Sequence, residues 1–93
     1  MKHYIILKFK KDVDYHQLLP DISSTLEELK AIKGIRNVSI YTNCIFRDNR
    51  YDLMIEIEMD KDALPIYDAS LTHQKLKQIY NPYLENKTIF DHE

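Results

Sequence analysis

Few side chains in this chain could do chemistry, and most of them stand far apart. The four histidines are His3, His16, His73 and His92. A neutral imidazole can move a proton near neutral pH, or ligate a metal through one ring nitrogen. His3, His73 and Asp91 qualify as metal ligands by type, but no close-spaced pair among them nucleates a site, so no metal is expected. His16 and His92 are expected to face solvent. Glu56 and Glu58 could pass for a catalytic carboxylate pair. At i and i+2 on a strand, however, they share one face, where they can line a sheet interior or its rim and pair with Lys8. Cys44 is the only cysteine, which excludes an internal disulfide and reads as a small apolar residue in a reducing compartment. With Gly34 as the only glycine, no phosphate-cradling loop can be built, and no nucleotide cofactor is expected.

The totals narrow the partners. The net charge is −2 with the signs interspersed, which leaves no electrostatic footprint for nucleic acid. The opening residues, MKHYIILKFKK, hold an apolar run that Lys8 breaks too early for a signal peptide or membrane span. A cytoplasmic protein without a membrane partner is therefore expected. Ninety-three residues make one domain, 1–93, whose core is marginal, so a second subunit that buries more surface would help it.

Such groups must be positioned by strands and helices, and the clearest is residues 51–59, YDLMIEIEM. Tyr51, Leu53, Ile55, Ile57 and Met59 alternate with Asp52, Met54, Glu56 and Glu58, the period of a strand with one buried face. Residues 3–9, HYIILKF, are apolar on both faces and predict a strand covered on both sides. Asp14 is a plausible helix cap. Leu18, Leu19, Ile22, Leu26, Leu29 and Ile32 then recur at helical spacing, with a kink or restart expected at Pro20. Gly34 is expected to end that helix in a left-handed C′ position. Residues 35–43 predict a second strand, and 46–50 the turn of a hairpin into 51–59. Asp60 or Asp62 can cap a second helical region, with Pro65 in its first turn. There Leu64, Tyr67 and Leu71 share a face, yet the apolar set reappears out of phase at Leu76, Ile79, Tyr80 and Tyr83. That slip predicts a break between Ser70 and Thr72. Residues 88–91, TIFD, close the chain as a strand.

The order β-α-β-β-α-β is that of an α+β ferredoxin-like unit with a four-stranded antiparallel sheet and both helices on one face. Tyr4, Ile6, Met54 and Phe90 fall on the bare face. An apolar area of that kind predicts a homodimer closed sheet to sheet, a dimeric α/β barrel.

Four segments in this order, KHYIILKFK, DNRYDLMIEIE, YDASLTH and IFDHE, resemble the dimeric stress-responsive A/B barrel (Dabb) family over essentially the whole chain. The resemblance implies the same ferredoxin-like, sheet-to-sheet dimer and no cofactor. The family includes olivetolic acid cyclase, a cofactor-independent polyketide cyclase that uses a tyrosine, a histidine six residues later and an aspartate on the last strand. Carried over, these are Tyr67, His73 and Asp91, with His3 as a further pocket histidine. The resemblance thus implies a general acid–base site. Asp91 would fix the tautomer of His73, Tyr67 would donate to an enolate or carbonyl oxygen, and an apolar carbonyl ligand would lie against Ile5, Leu7, Ile55, Ile57 and Ile89. The family's His-Pro-x-His at the helix break is here Ser70-Leu71-Thr72-His73, without the proline that would enforce it. On an unbroken helix six residues turn through about 600°, leaving Tyr67 and His73 roughly 120° apart. The alternative is a satisfied, partly buried histidine that ties the last strand to the helix, with Tyr67 filling core, in a stress-associated dimer without turnover.

Overall fold

Period-two alternation builds the centre of the sheet in the computed structural model, which covers residues 1–93. Strand β1 (Lys2–Phe9) buries His3, Ile5, Leu7 and Phe9, and β3 (Leu53–Met59) buries Leu53, Ile55, Ile57 and Met59. The two pair antiparallel, Ile5 opposite Ile55 on the buried face and Ile6 opposite Met54 on the open one. Strand β2 (Ile35–Thr42) flanks β3 and strand β4 (Leu84–His92) flanks β1, giving the order β2-β3-β1-β4. This is the ferredoxin-like arrangement with its second helix in two pieces.

Three helices cover one face: α1 (Leu19–Leu29), α2 (Leu64–Ala69) and α3 (Leu71–Tyr80). In α1 the buried stripe is Ile22, Thr25, Leu26 and Leu29, spaced i, i+3, i+4, i+7. Fully burying each of its aliphatic side chains is worth about 1.5–3 kcal/mol. The expected restart at Pro20 is a short 3₁₀ turn (Tyr15–Leu18), capped by the Asp14 carboxylate on the His16 N–H, after which Pro20 sits in the first turn of α1. Pro65 takes the same position in α2.

Several local expectations are corrected. Helix α1 stops at Leu29, so Gly34 is not its C′ residue but part of the turn into β2, with φ at 96°. A Cβ there would come within 3.0 Å of the Ala63 Cβ, so the close approach also demands glycine. Asp60 caps no helix through its side chain, because its carboxylate takes the Arg36 guanidinium. Glu56 and Glu58 pair with Lys2 and Arg36, while Lys8 pairs with Glu85. Cys44 is exposed rather than packed. The last strand begins at Leu84 rather than near residue 88; as an edge strand reaching past the helices it carries Glu85, Asn86 and Lys87, which hide it from an apolar pattern. Leu7, Ile55 and Ile57 are fully buried in the core beneath the helices, where Ile5 but none of these three reaches the cavity between α2, α3, β1 and β4.

Tyr4, Ile6, Met54 and Phe90 do share the face without helices, across β1, β3 and β4. The first three are half-buried and Phe90 is exposed. No helix is long and apolar enough to cross a membrane.

Candidate functional site

Ser70 makes the break on which the site depends. Its ψ of 149° takes it out of the helical region between α2 and α3. The Ser70 Oγ–H donates to the Tyr67 carbonyl at 2.7 Å, and the same oxygen accepts the His73 N–H at 3.0 Å. One hydroxyl thus closes α2 and caps α3, the task that proline would otherwise help with at the next position. The turn brings Tyr67 and His73 face to face, ring centroids 4.3 Å apart and tilted by 34°.

Burial favours the neutral form of both side chains. The His73 Nδ1 lies 3.1 Å from the Asp68 carbonyl oxygen, so Nδ1–H donates there and Nε2 keeps its lone pair. Burial is the main cause holding the His73 pKa below 6.5; the Asp68 carbonyl and carboxylate oppose it, and Lys77 and His3 add to it. The neutral imidazole is therefore the favoured form at pH 7. Tyr67 is 1% exposed, and its hydroxyl is a buried polar atom without a hydrogen-bond partner. Desolvation first, then Tyr80, Asp68 and Asp91, raise its pKa well above the ordinary phenol value, so it remains a donor.

Asp91 does not reach His73. Its Oδ1 lies 2.5 Å from the Nδ1 of His3, the residue directly opposite it in the β1–β4 register. Strand pairing sets that contact, while the Nδ1 of His73 is already committed to the carbonyl of its own helix break. His3 is 5% exposed and meets Tyr67 edge-on at 5.3 Å, so the rings run in sequence from His3 through Tyr67 to His73.

These groups line a cavity of about 310 Å³ between α2, α3, β1 and β4. Of the expected lining, His3, Ile5 and Ile89 are present beside Tyr67, His73 and Asp91. Leu64, Asp68, Lys77, Tyr80 and Lys87 also line it and were not expected. Lys77 and Tyr80 follow His73 at i+4 and i+7, one helix face, and Lys87 precedes Asp91 by four residues on one strand face. That spacing becomes a signal only once β4 is extended back to residue 84. A larger cavity of about 520 Å³ opens at the other end of β1, lined by Lys8, Lys10, Lys11, Arg47 and Arg50 with Asp48, Asp52 and Glu85. It holds no histidine, and its Asp52 and Glu85 are engaged with the Phe9 N–H and Lys8.

The family model described as the stress responsive A/B barrel domain matches residues 1–93. No curated protein matches the chain. Among solved structures, a protein from Arabidopsis thaliana superposes with a TM-score of 0.80 at 18% identity, over 99% of this chain and 92% of that one. A dimeric protein of unknown function and ferredoxin-like fold from Bacteroides fragilis gives 0.75 at 23% identity, over 99% and 93%. A hydroxynitrile lyase from Passiflora edulis gives 0.76 at 11% identity, over 98% and 89%.

Proposed function

The chain belongs to the stress responsive A/B barrel domain family, and on that premise we propose that it works as a sheet-to-sheet homodimer binding one small, largely apolar ligand per subunit. The open face supports the dimer: Tyr4, Ile6, Met54 and Phe90 form an apolar strip that no helix covers, and the Bacteroides fragilis relative is described as dimeric. The observation that carries the ligand reading is the unpartnered Tyr67 hydroxyl, buried against a pocket. A buried donor of this kind costs about 1–3 kcal/mol unless something accepts from it, and a carbonyl oxygen would. The ligand is thus an apolar carbonyl compound.

One further observation favours turnover. A neutral His73 with an anchored Nδ1 and a free Nε2 faces the phenol donor. In this second reading Nε2 removes a proton from a carbon beside the carbonyl, giving imidazolium and enolate, and the Tyr67 O–H donates a hydrogen bond to the developing oxyanion. The proton then returns to the rearranged carbon skeleton, as a cyclase or isomerase requires. No cofactor takes part. Asp91 acts through His3 as a positioning pair, because its carboxylate touches neither Nε2 of His73 nor the phenol oxygen. The fold accommodates catalysis in the hydroxynitrile lyase, although on this chain the chemistry rests on its own residues.

The test is a thermal-unfolding screen with β-diketones and small apolar acids on wild type and His73→Ala. A ligand at a hundred times its dissociation constant stabilises by about 2.7 kcal/mol, and each kcal/mol moves the midpoint by roughly 4–8 °C in a domain of this size. A shift that His73→Ala weakens supports the acid–base reading and calls for turnover assays. A shift that His73→Ala leaves intact supports binding, and turnover assays on wild type and variant then decide whether His73 acts as a base. No shift with any compound contradicts both.

A further inference from the structure

The cavity carries charged side chains that the acid–base groups do not explain. Along α3 the side chains facing it are His73, Lys77 and Tyr80; along β4 they are Lys87, Ile89 and Asp91. The two rows run side by side, with His73 near the Asp91 end and Lys87 over the Tyr80 ring at 5.8 Å. The lysines Lys2, Lys8, Lys30, Lys61 and Lys75 sit beside carboxylates. Lys77 and Lys87, like Lys10, Lys11 and Lys33, pair with no carboxylate, and both line the slot on the Tyr80 side of His73 and Asp91. The acids lie toward the other end: Asp91 is bound to His3, and Asp68 stands beside His73. An anion entering the slot is therefore attracted at one end and repelled at the other.

We propose that the ligand of this pocket is a carboxylate-bearing ketone, held with its carboxylate between Lys77 and Lys87 and its ketone oxygen on the Tyr67 hydroxyl. This deepens the reading above and rests on it. The two functions would be separated by the span from the imidazole end to the lysines. That span is roughly 6 Å for one turn of α3 and roughly 13 Å for four residues of β4. Ile5 and Ile89 lie between and fit a short methylene chain.

Calorimetric titration with the straight-chain series from acetylbutyrate to acetyloctanoate, each beside its methyl ester, tests this on the intact protein. The best acid should bind about tenfold or more tightly than its ester, a difference of about 1.4 kcal/mol, and the preference should shrink as salt is added. In the Lys77→Gln/Lys87→Gln double variant the acid-over-ester preference should fall below about twofold, and Tyr67→Phe should weaken acid and ester alike. Both lysines lie outside the core, and circular dichroism verifies that the double variant is folded. Equal binding of acid and ester to wild type, or a preference that survives in the double variant, overturns the anion assignment and leaves the pocket reading standing. Failure of every acid and ester to bind overturns both.

Discussion

Replacing Tyr67 by phenylalanine should make the protein more stable and less able to bind. The ring is 1% exposed among core residues, and phenylalanine fills the same volume without the oxygen. What is lost is a hydroxyl that no group of the protein accepts from. Burying such a group costs about 1–3 kcal/mol, so removing it should return an amount of that order. At roughly 4–8 °C per kcal/mol, even the low end is plain in a thermal melt. Melts and urea titrations of wild type and Tyr67→Phe should be run at one protein concentration, because a dimer's midpoint depends on it. The urea midpoint should rise with an unchanged slope, the sign that native stability moved rather than the unfolded state. The ligands that stabilise wild type should stabilise the variant less. The opposite result is a midpoint for Tyr67→Phe several degrees below wild type. The hydroxyl would then be satisfied in the free protein, and no donor would be waiting for a ligand.

Other consequences follow from the same geometry. Ser70→Ala removes both Oγ bonds at the helix break and should cost about 1–2 kcal/mol in thermal or urea unfolding, while Ser70→Asn, which can still cap α3, should recover much of it. Ile6→Glu puts a charge opposite Met54 on the open face and should halve the light-scattering mass while leaving the far-ultraviolet spectrum intact. Stability should also depend on His73. Its pKa is lowered in the fold, so the unfolded chain takes the proton first; His73 contributes stability above 6.5 that is lost as pH falls through the depressed folded value. Melting temperatures across that window should decline more steeply for wild type than for His73→Gln.

The parts that alternate or repeat locally were readable from the residues alone. The nine-residue alternation ending at Met59 gave β3 its faces, and the helical stripe of Ile22, Leu26 and Leu29 gave α1 its buried side. The slip between Leu71 and Leu76 located the helix break, and Ser70 supplies its physical cause. Properties that depend on strand register were harder. His3 and Asp91 are 88 positions apart, and only the pairing of β4 with β1 sets them opposite each other. Alternation put Ile5, Leu7, Ile55, Ile57 and Ile89 on one face, but could not show where the helices stop covering it. Leu7, Ile55 and Ile57 lie under the helices, whereas Ile89, on the edge strand, is 46% exposed beside the cavity. The missing partner of the Tyr67 hydroxyl is a tertiary fact with no local signal.

The break at Ser70 presents a neutral imidazole, with a free Nε2, to a phenol that has nothing to donate to. Nitrogen-15 NMR of histidine-labelled protein reads this directly, with His73→Gln used to assign the resonance. His73 should titrate below 6.5, and its neutral form should carry the proton on Nδ1, bonded to the Asp68 carbonyl. A midpoint at or above 6.5, or a neutral form with its proton on Nε2, would contradict this arrangement.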